Sequence, residues 1–476
     1  MVLLAALAAC AERAPILGSP TAPEAPSAPP AATPTPTPAT SRPNLLVILS
    51  DDHRWDALGA AGNPAIVTPE LDRLAHEGVY FRQAIVSVSQ CHPSRASLLT
   101  GLPSFRHGLF SIQEHAADLA TTLCARPTVA SLLRDVGYRT VVVGKWHIPP
   151  VPWTCGFEDV RTWLPDGNAD YRDPELVRGR SEQRQKVAGY TQEIFADDAV
   201  GFLRSDAAQR GPFLLWLAFT APHFPYEPNP ERIAALYAER GPEQLLPPRF
   251  PRDAEANDWR HYDEAVSYLD EQVGRVLAAL RESGLSERTV VVFLGDNGYM
   301  MGEHGVGGPG SRANGKQVPY EASLRVPFLM AGPGLPRAVA SDLPVSSLDL
   351  PTTLLALAGS AAPRSWPGRD LTAALAGRIA IDDAVAEWSD EASEKFGDLA
   401  YRVLRTPTHK LIVWKDAQRG IGGEELYDLV ADPNESRNLV GESADGAVLR
   451  DLRARLAVWM RRHEDPALQW RAGLDR

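Results

Sequence analysis

The stretch Asn44-Leu45-Leu46-Val47-Ile48-Leu49-Ser50-Asp51-Asp52 decides the fold of this chain. Its first seven residues form an apolar run of strand length, and two carboxylates follow at once. Such a run is typical of a parallel strand buried on both faces, because a half-exposed strand would alternate apolar and polar residues. We therefore predict a central strand over residues 44–50 that ends in an acidic pair.

Three further apolar runs predict strands over residues 138–143, 213–219 and 289–294. Helical patterns lie between the strands. The clearest covers residues 258–282, with its apolar residues on one stripe and Gly284 behind it. A shorter helix begins at Thr68-Pro69-Glu70 and ends before Gly78. Strands that alternate with helices predict an α/β fold, with a mostly parallel sheet sandwiched by helices.

Composition divides the chain into four segments. Residues 1–18 contain an apolar run ending Leu7-Ala8-Ala9-Cys10, which is typical of a bacterial lipoprotein export signal. Residues 19–43 are rich in Pro, Thr and Ala and predict an extended tether. The main α/β domain is expected over residues 44–375. A hairpin over residues 401–404 and 410–414, with a closing helix over 449–462, predicts a small α+β subdomain over 376–476.

The first two segments predict an exported protein, periplasmic or at the cell surface, that is tethered to a membrane through lipidated Cys10. A disordered tail without a role is the alternative. The formal net charge of −12 argues against the basic surface that nucleic-acid binding requires. The four cysteines are too few for a disulfide scaffold, although Cys124 and Cys155 could pair in an exported protein.

Each predicted strand is followed by polar side chains, which are Asp51, Asp52, Lys145, His147, His223, Asp296 and Asn297. Because parallel strands end at one edge of a sheet, we expect these groups to lie together. Carboxylate and amide oxygens favour Ca²⁺ or Mg²⁺ over zinc or copper. Taken singly, an acidic pair or an Asp-Asn-Gly stretch is often a helix cap or a turn. Taken together, they predict a site that holds a metal ion.

A second informative stretch is Cys91-His92-Pro93-Ser94-Arg95, followed by Ala96-Ser97-Leu98-Leu99-Thr100-Gly101. Pro93 favours the first turn of a helix, where its missing N–H would be unpaired. A helix start favours negative charge, which suits a nucleophile at Cys91 and an anionic substrate, and Arg95 adds a cation. The stretch resembles the sulfatase signature Cys-x-Pro-Ser-Arg, although Gln90 and His92 differ from the residues more common there.

Further segments resemble sulfatases in the same order along the chain. They are Gly144-Lys145-Trp146-His147, Ala221-Pro222-His223, Lys316 with Tyr320-Glu321, and Glu425-Leu426-Tyr427-Asp428-Leu429 with Asp432-Pro433-Asn434-Glu435. The resemblance covers about residues 44–440. It implies an alkaline phosphatase-like fold and the hydrolysis of sulfate monoesters. The residues of the last segment indicate no chemistry of their own.

The resemblance also implies a role for each site residue. A formylglycine-generating or sulfatase-maturating enzyme would oxidise Cys91 to formylglycine, whose hydrate is the nucleophile. The metal ligands would be Asp51, Asp52, Cys91, Asp296 and Asn297. Arg95 and Lys145 would orient the nucleophile and the sulfate. His223 and Lys316 would protonate the departing alcohol, and His147 would accept a proton.

Two other functions are compatible with the sequence. A phosphonate monoester or phosphodiester hydrolase of the same superfamily would act on esters of similar shape and charge. A binding protein that kept the scaffold without catalysis would leave Cys91 unoxidised. For the sulfatase, the substrate would be a sulfated small molecule or glycan. The stretch from Asp296 to His304 resembles sulfatases that act on sulfated hexosamines, so His304 is either close to the sugar or an ordinary loop residue.

Overall fold

The protein is built around two β-sheets. The structure is a computed structural model that describes residues 42–110, 119, 121–250, 256–307, 315–389, 400–415, 423–442 and 446–470. Its strands are β1 (Asn44–Ser50), β2 (Val79–Phe81), β3 (Arg139–Lys145), β4 (Asp159–Leu164), β5 (Glu175–Arg178), β6 (Arg184–Lys186), β7 (Phe213–Ala218), β8 (Thr289–Gly295), β9 (Phe328–Ala331), β10 (Val339–Ser341), β11 (Ala384–Ser389), β12 (Ala400–Arg405), β13 (His409–Trp414) and β14 (Glu424–Asp428).

The larger sheet has ten strands in the order β10-β2-β9-β8-β1-β7-β3-β4-β5-β6. Its centre is parallel, since β8, β1, β7, β3 and β4 pair in one direction. Toward the edges, β9, β5 and β6 run antiparallel to their neighbours. The four predicted strands are confirmed as β1, β3, β7 and β8, with ends that differ by at most two residues.

Helices cover both faces of this sheet. Along β1, Leu45, Val47 and Leu49 belong to one apolar core, and Leu46 and Ile48 belong to the other. This division explains why the strand has no polar face. The described α-helices are Pro69–Glu77, Cys91–Thr100, Ser104–His107, Val129–Asp135, Thr191–Leu203, Asp206–Gln209, Glu231–Ala234, Ala256–Glu282, Glu321–Leu324, Asp349–Leu357, Leu371–Leu375 and Gly446–Arg462. The predicted helices after Thr68 and over residues 258–282 are confirmed.

The smaller sheet is antiparallel, in the order β11-β12-β13-β14. The predicted hairpin corresponds to β12 and β13, and the predicted closing helix is Gly446–Arg462. This helix packs on the sheet through residues such as Leu452, Leu456 and Met460. We propose that this C-terminal subdomain begins at residue 376.

The predicted export signal, Cys10 and most of the tether lie outside the described residues. Within the described part of the chain, no helix combines the length and the apolar character needed to span a bilayer.

One disulfide joins Cys124 to Cys155 across 31 residues. Cross-linking a loop of this length is expected to stabilise the fold by about 3 to 4 kcal/mol, because it restricts the unfolded chain. The double variant C124A/C155A should lose that amount of unfolding free energy in urea denaturation followed by circular dichroism. Denaturation of the parent protein under reducing conditions should give the same loss, and an unchanged midpoint in both experiments would contradict the prediction.

Candidate active site

The ends of β1 and β8 place four oxygen-bearing side chains at one edge of the large sheet. Asp51 and Asp52 follow β1, and Asp296 and Asn297 follow β8; all four are buried. The backbone N–H of Asp52 donates to Asp296 Oδ1 at 3.3 Å. One carboxylate oxygen from each of the three aspartates lies within 4.8 Å of the others. The structure thus brings together the groups that the strand-end pattern singled out.

These oxygens suit a divalent cation. Asp51 Oδ1 and Asn297 Oδ1 are buried and have no hydrogen-bond partner among the described residues. The Asn297 amide nitrogen donates to Asp52 Oδ1 at 2.7 Å, which leaves its oxygen available. Burial and the nearby charge of Asp51 raise the pKa of Asp296 to about 8. A cation between the carboxylates would offset the repulsion between their negative charges. A set of hard oxygen donors fits Ca²⁺ or Mg²⁺.

Cys91 begins the helix Cys91–Thr100 and lies beside two lysines. Lys316 Nζ donates to Cys91 Sγ at 2.8 Å and lies 2.6 Å from Asp52 Oδ1. Lys145 Nζ forms an ion pair with Asp51. Burial alone would raise the pKa of the Cys91 thiol, but the charges of Lys145 and Lys316 lower that pKa to about 5. The site therefore stabilises negative charge at the position of Cys91 Sγ.

Arg95 lies one helical turn after Cys91 and binds the acidic centre. Its Nε donates to Asp296 Oδ2 and its Nη1 to the Lys145 carbonyl, both at 2.7 Å. The Arg95 guanidinium thus hydrogen-bonds to Asp296 and Lys145 instead of Cys91. Its Nη2 is buried and has no hydrogen-bond partner in the described part of the chain, so it is free to bind an anion.

A glycine in β3 lets Lys145 reach the site. The pairing of β3 with β4 shifts between Val142 and Gly144, where Gly144 has a φ of +96°. A side chain here would place its Cβ 1.9 Å from the Ala218 carbonyl oxygen. Only glycine tolerates both the positive φ and the close contact with the Ala218 carbonyl. Lys145 is the next residue of the strand.

The two histidines of the site have opposite pKa shifts. His223 Nδ1 donates to the Phe224 carbonyl at 2.7 Å, and His223 Nε2 lies 3.7 Å from Asp52 Oδ2. Burial would lower the pKa of His223, but the charge of Asp52 outweighs it and raises this pKa. Burial and the charge of Lys145 hold the pKa of His147 well below its usual value. His223 is thus suited to donate a proton and His147 to accept one.

Comparison with known proteins agrees with this geometry. The model of the sulfatase family matches residues 43–360. The chain belongs to the sulfatase family. A second model, described as the C-terminal part of N-sulphoglucosamine sulphohydrolase, matches residues 311–462. The protein is therefore an enzyme of the sulfatase type.

This sulfatase has relatives of comparable length. The ulvan-active sulfatase of Formosa agariphila is 30% identical over 437 residues, which cover 87% of this chain and 80% of that protein. The N-acetylgalactosamine-6-sulfatase of Canis lupus familiaris is 32% identical over 370 residues, or 70% of this chain and 66% of that protein. A solved structure in complex with its substrate D-glucosamine-2-N,6-O-disulfate superimposes with a TM-score of 0.75. It is 24% identical, covers 90% of this chain and 99% of its own, and shows the shared alkaline phosphatase-like fold.

Several residues that support the sulfatase site carry no sequence signal that predicts their role. Tyr171 Oη donates to the His223 carbonyl at 2.7 Å, and Tyr262 Oη donates to the Asp52 carbonyl at 2.9 Å. Gly167 packs so closely on His147 that a Cβ would lie 2.3 Å from the imidazole Cε1. These contacts join residues far apart in sequence, and no local motif marks them.

A cavity of about 980 Å³ is lined by several residues that are close in sequence to the site residues. Arg54 in its wall follows Asp52 by two residues, and Tyr320 follows Lys316 by four. His304 also lines the cavity and stacks on Tyr320, with ring centroids 3.9 Å apart and planes 6° from parallel. His304 is therefore a wall residue of this cavity.

Proposed function

We propose that this sulfatase releases inorganic sulfate from a sulfated sugar, with Cys91 matured to formylglycine and a divalent cation in the site. The observation that carries the proposal is the position of Cys91. Ligand atoms of Cys91, Asp51 and His223 lie within 4.8 Å of one another, while Lys316 Nζ contacts the sulfur. A nucleophile, an acid and an anion-stabilising charge therefore share one buried space.

The proposed metal ligands are the four oxygen-bearing side chains and the matured Cys91. The full set is Asp51, Asp52, Cys91, Asp296 and Asn297. When bound, such a cation lowers the pKa of a coordinated hydroxyl and neutralises charge on the sulfate, which is worth several kcal/mol. When formed, formylglycine supplies the hydrated aldehyde as the nucleophile.

The protein's own residues orient the groups and move the protons. Lys145 fixes Asp51 through its ion pair, and Arg95 fixes Asp296 while its free Nη2 binds a sulfate oxygen. His223 and Lys316 together supply the one proton that the alcohol oxygen takes up as the ester bond breaks. His147 accepts the proton from the second hydroxyl when sulfate leaves. Nδ1 of His147 is buried and has no hydrogen-bond partner among the described residues, which supports this role.

A sugar substrate is supported by the relatives and by a cavity lined by sequence neighbours of the site residues. The ulvan-active and N-acetylgalactosamine-6-sulfatases are carbohydrate sulfatases by name. The cavity of about 980 Å³ lies at the upper end of the size range of ligand sites. Phe224, next to His223, is 60% exposed, and an exposed aromatic ring suits the apolar face of a sugar.

Replacing Phe224 with alanine is expected to raise the KM for a sulfated monosaccharide about 10-fold, because a stacking contact of about 1.4 kcal/mol is lost. The kcat should stay within about 3-fold, since His223 keeps its backbone contacts. Steady-state kinetics measure both constants. Val458, 57% exposed on the C-terminal helix, provides the control V458A, which should leave the KM unchanged. A KM of F224A equal to that of the parent would exclude this contact.

We further propose an exported protein that is anchored through lipidated Cys10 and the tether over residues 19–43. The disulfide between Cys124 and Cys155 supports export, because such bonds persist in oxidising compartments. A formylglycine-generating or sulfatase-maturating enzyme would be a transient partner.

Peptide mass spectrometry and an ester panel test the proposed function. Protein from a host that matures sulfatases is digested with trypsin, and the peptide of residues 83–95 is weighed. We expect the mass of an aldehyde or its hydrate at Cys91, together with faster hydrolysis of sulfate esters than of phosphonate esters. An unmodified thiol from that host would overturn the formylglycine chemistry and favour a binding protein. A preference for phosphonate esters would overturn the substrate class.

A further inference from the structure

The C-terminal segment Asp432-Pro433-Asn434-Glu435 contains a buried acid that contacts the chain just after Lys316. Glu435 is only 3% exposed. Its Oε2 accepts a hydrogen bond from the backbone N–H of Glu321 at 2.6 Å, and its carboxylate pairs with Lys410 on β13. Glu435 thus binds the first residue of the short helix Glu321–Leu324.

The side chain of Glu321 is bound from the same subdomain. Arg405 Nη2 donates to Glu321 Oε2 at 3.0 Å, and Lys410 Nζ donates to Glu321 Oε1 at 3.4 Å. All of these groups are buried, and two acids face two cations from the small sheet. Removing one member of such a network leaves a buried charge without its partner, which is costly. The network therefore fixes the position of Glu321 relative to β12 and β13.

Lys316 lies in an irregular segment that ends at this anchor. Residues 315–320 form neither helix nor strand. Just before Lys316, the Gly315 carbonyl accepts a hydrogen bond from the Met300 N–H at 2.7 Å, and just after it, the Gln317 N–H donates to the Ser89 carbonyl at 2.9 Å. Downstream, the segment runs directly into Glu321. The segment that brings Lys316 Nζ to 2.8 Å from Cys91 Sγ is therefore held at Gly315, at Gln317 and, where it ends, at Glu321.

We propose that Glu435 and Lys410 position the Lys316 side chain in the active site, so that the small sheet controls the geometry of a group at the edge of the large one. Glu435 touches neither Cys91 nor Lys316 and is a positioning residue. The inference rests on the proposed function, in which Lys316 protonates the departing alcohol. It also gives a role to a segment whose residues alone indicate no chemistry. A displacement of about 1 Å in a catalytic group can cost about 100-fold in rate.

The dependence of kcat on the leaving group tests the proposal. E435Q keeps the size of the side chain and an oxygen for the Glu321 N–H, but it loses the charge that faces Lys410. For a sugar sulfate, whose alkoxide is a poor leaving group, we expect kcat to fall about 30-fold or more. For 4-nitrophenyl sulfate, which needs little protonation, kcat should fall less than about 3-fold. A smaller folded fraction would lower both values by the same factor, and this outcome would overturn the proposal.

Two further variants complete the test of Glu435. E442Q removes an exposed acid that pairs with Arg437 at 2.9 Å, and it should change neither kcat. E435D keeps the charge but falls one methylene short of the Glu321 N–H. E435D should lower kcat selectively on the sugar sulfate, but by a smaller factor than E435Q. If E435Q does not fold, E435D takes its place in the test. Equal losses on both substrates in E435D would again contradict the positioning role.

The K316A background separates this inference from the proposed function. K316A should itself lose kcat selectively on the sugar sulfate, and E435Q should add no further loss there, because its effect passes through Lys316. A full additional loss in the double variant would overturn the inference. Selective loss in K316A without selective loss in E435Q would overturn the inference alone. A parent enzyme without sulfatase activity on either ester would overturn the proposed function, and the inference with it.

Discussion

Alanine at position 91 is expected to lower kcat for sulfate ester hydrolysis by about 10⁴-fold or more, because the proposed nucleophile is removed while the proposed cation ligands and anion-binding groups remain. Residual turnover would come from those groups alone. The measurement is kcat on 4-nitrophenyl sulfate for C91A and the parent, both from a host that matures sulfatases. Activity near that of the parent would exclude Cys91 as the source of the nucleophile.

The same variant should stay folded. Cys91 is small, and Lys316 keeps its ion pair with Asp52 at 2.6 Å, so the unfolding free energy should change by about 1 kcal/mol. The disulfide variant C124A/C155A is a matched control with the reverse pattern, because it loses stability while its site residues are untouched. A C91A protein as unstable as that variant would show that the loss of activity has a structural cause.

Replacement of Asp51 with asparagine is expected to weaken the binding of Ca²⁺ or Mg²⁺ and to lower kcat/KM about 10³-fold, or about 4 kcal/mol. Asp51 contributes a buried oxygen that has no hydrogen-bond partner in the described residues, and its other oxygen pairs with Lys145. The amide has one oxygen and no charge, so it satisfies a cation less well.

Calorimetric titration with each cation measures this change independently of activity. The parent should also unfold at a higher temperature when the cation is added, because ligands that bind only the folded state stabilise it. D135N is the control, since Asp135 is 62% exposed and, among the described residues, forms its ion pair with the neighbouring Arg134. A parent protein that binds neither cation, or a D51N variant that binds as tightly as the parent, would contradict the proposed metal centre.

The sequence predicts the parts of this fold that follow from local patterns. Continuous apolar runs identify β1, β3, β7 and β8 because these strands are buried on both faces. The acids and the amide behind β1 and β8 lie together because parallel neighbouring strands end at one edge. The short strands such as β2 and β10 were missed, since three residues carry too little periodicity to separate them from a loop.

Contacts between distant residues are the parts that no local pattern predicts. The bond of Tyr171 to the His223 carbonyl spans 52 positions, and that of Glu435 to the Glu321 N–H spans 114. The partner of each group is set by packing of the whole chain. The disulfide is predicted only in part. The sequence identifies Cys124 and Cys155 as a possible pair, but only the folded chain brings them together.

The helix Cys91–Thr100 is buried along its whole length, including Cys91 itself. A maturing enzyme that recognises the stretch from Cys91 to Arg95 could bind it in the folded protein only after this helix had unfolded from the interior. Oxidation of Cys91 would therefore compete in time with folding. The stretch would be accessible in the nascent or translocating chain only until the helix folds. A molecule that folded before Cys91 was oxidised would stay inactive.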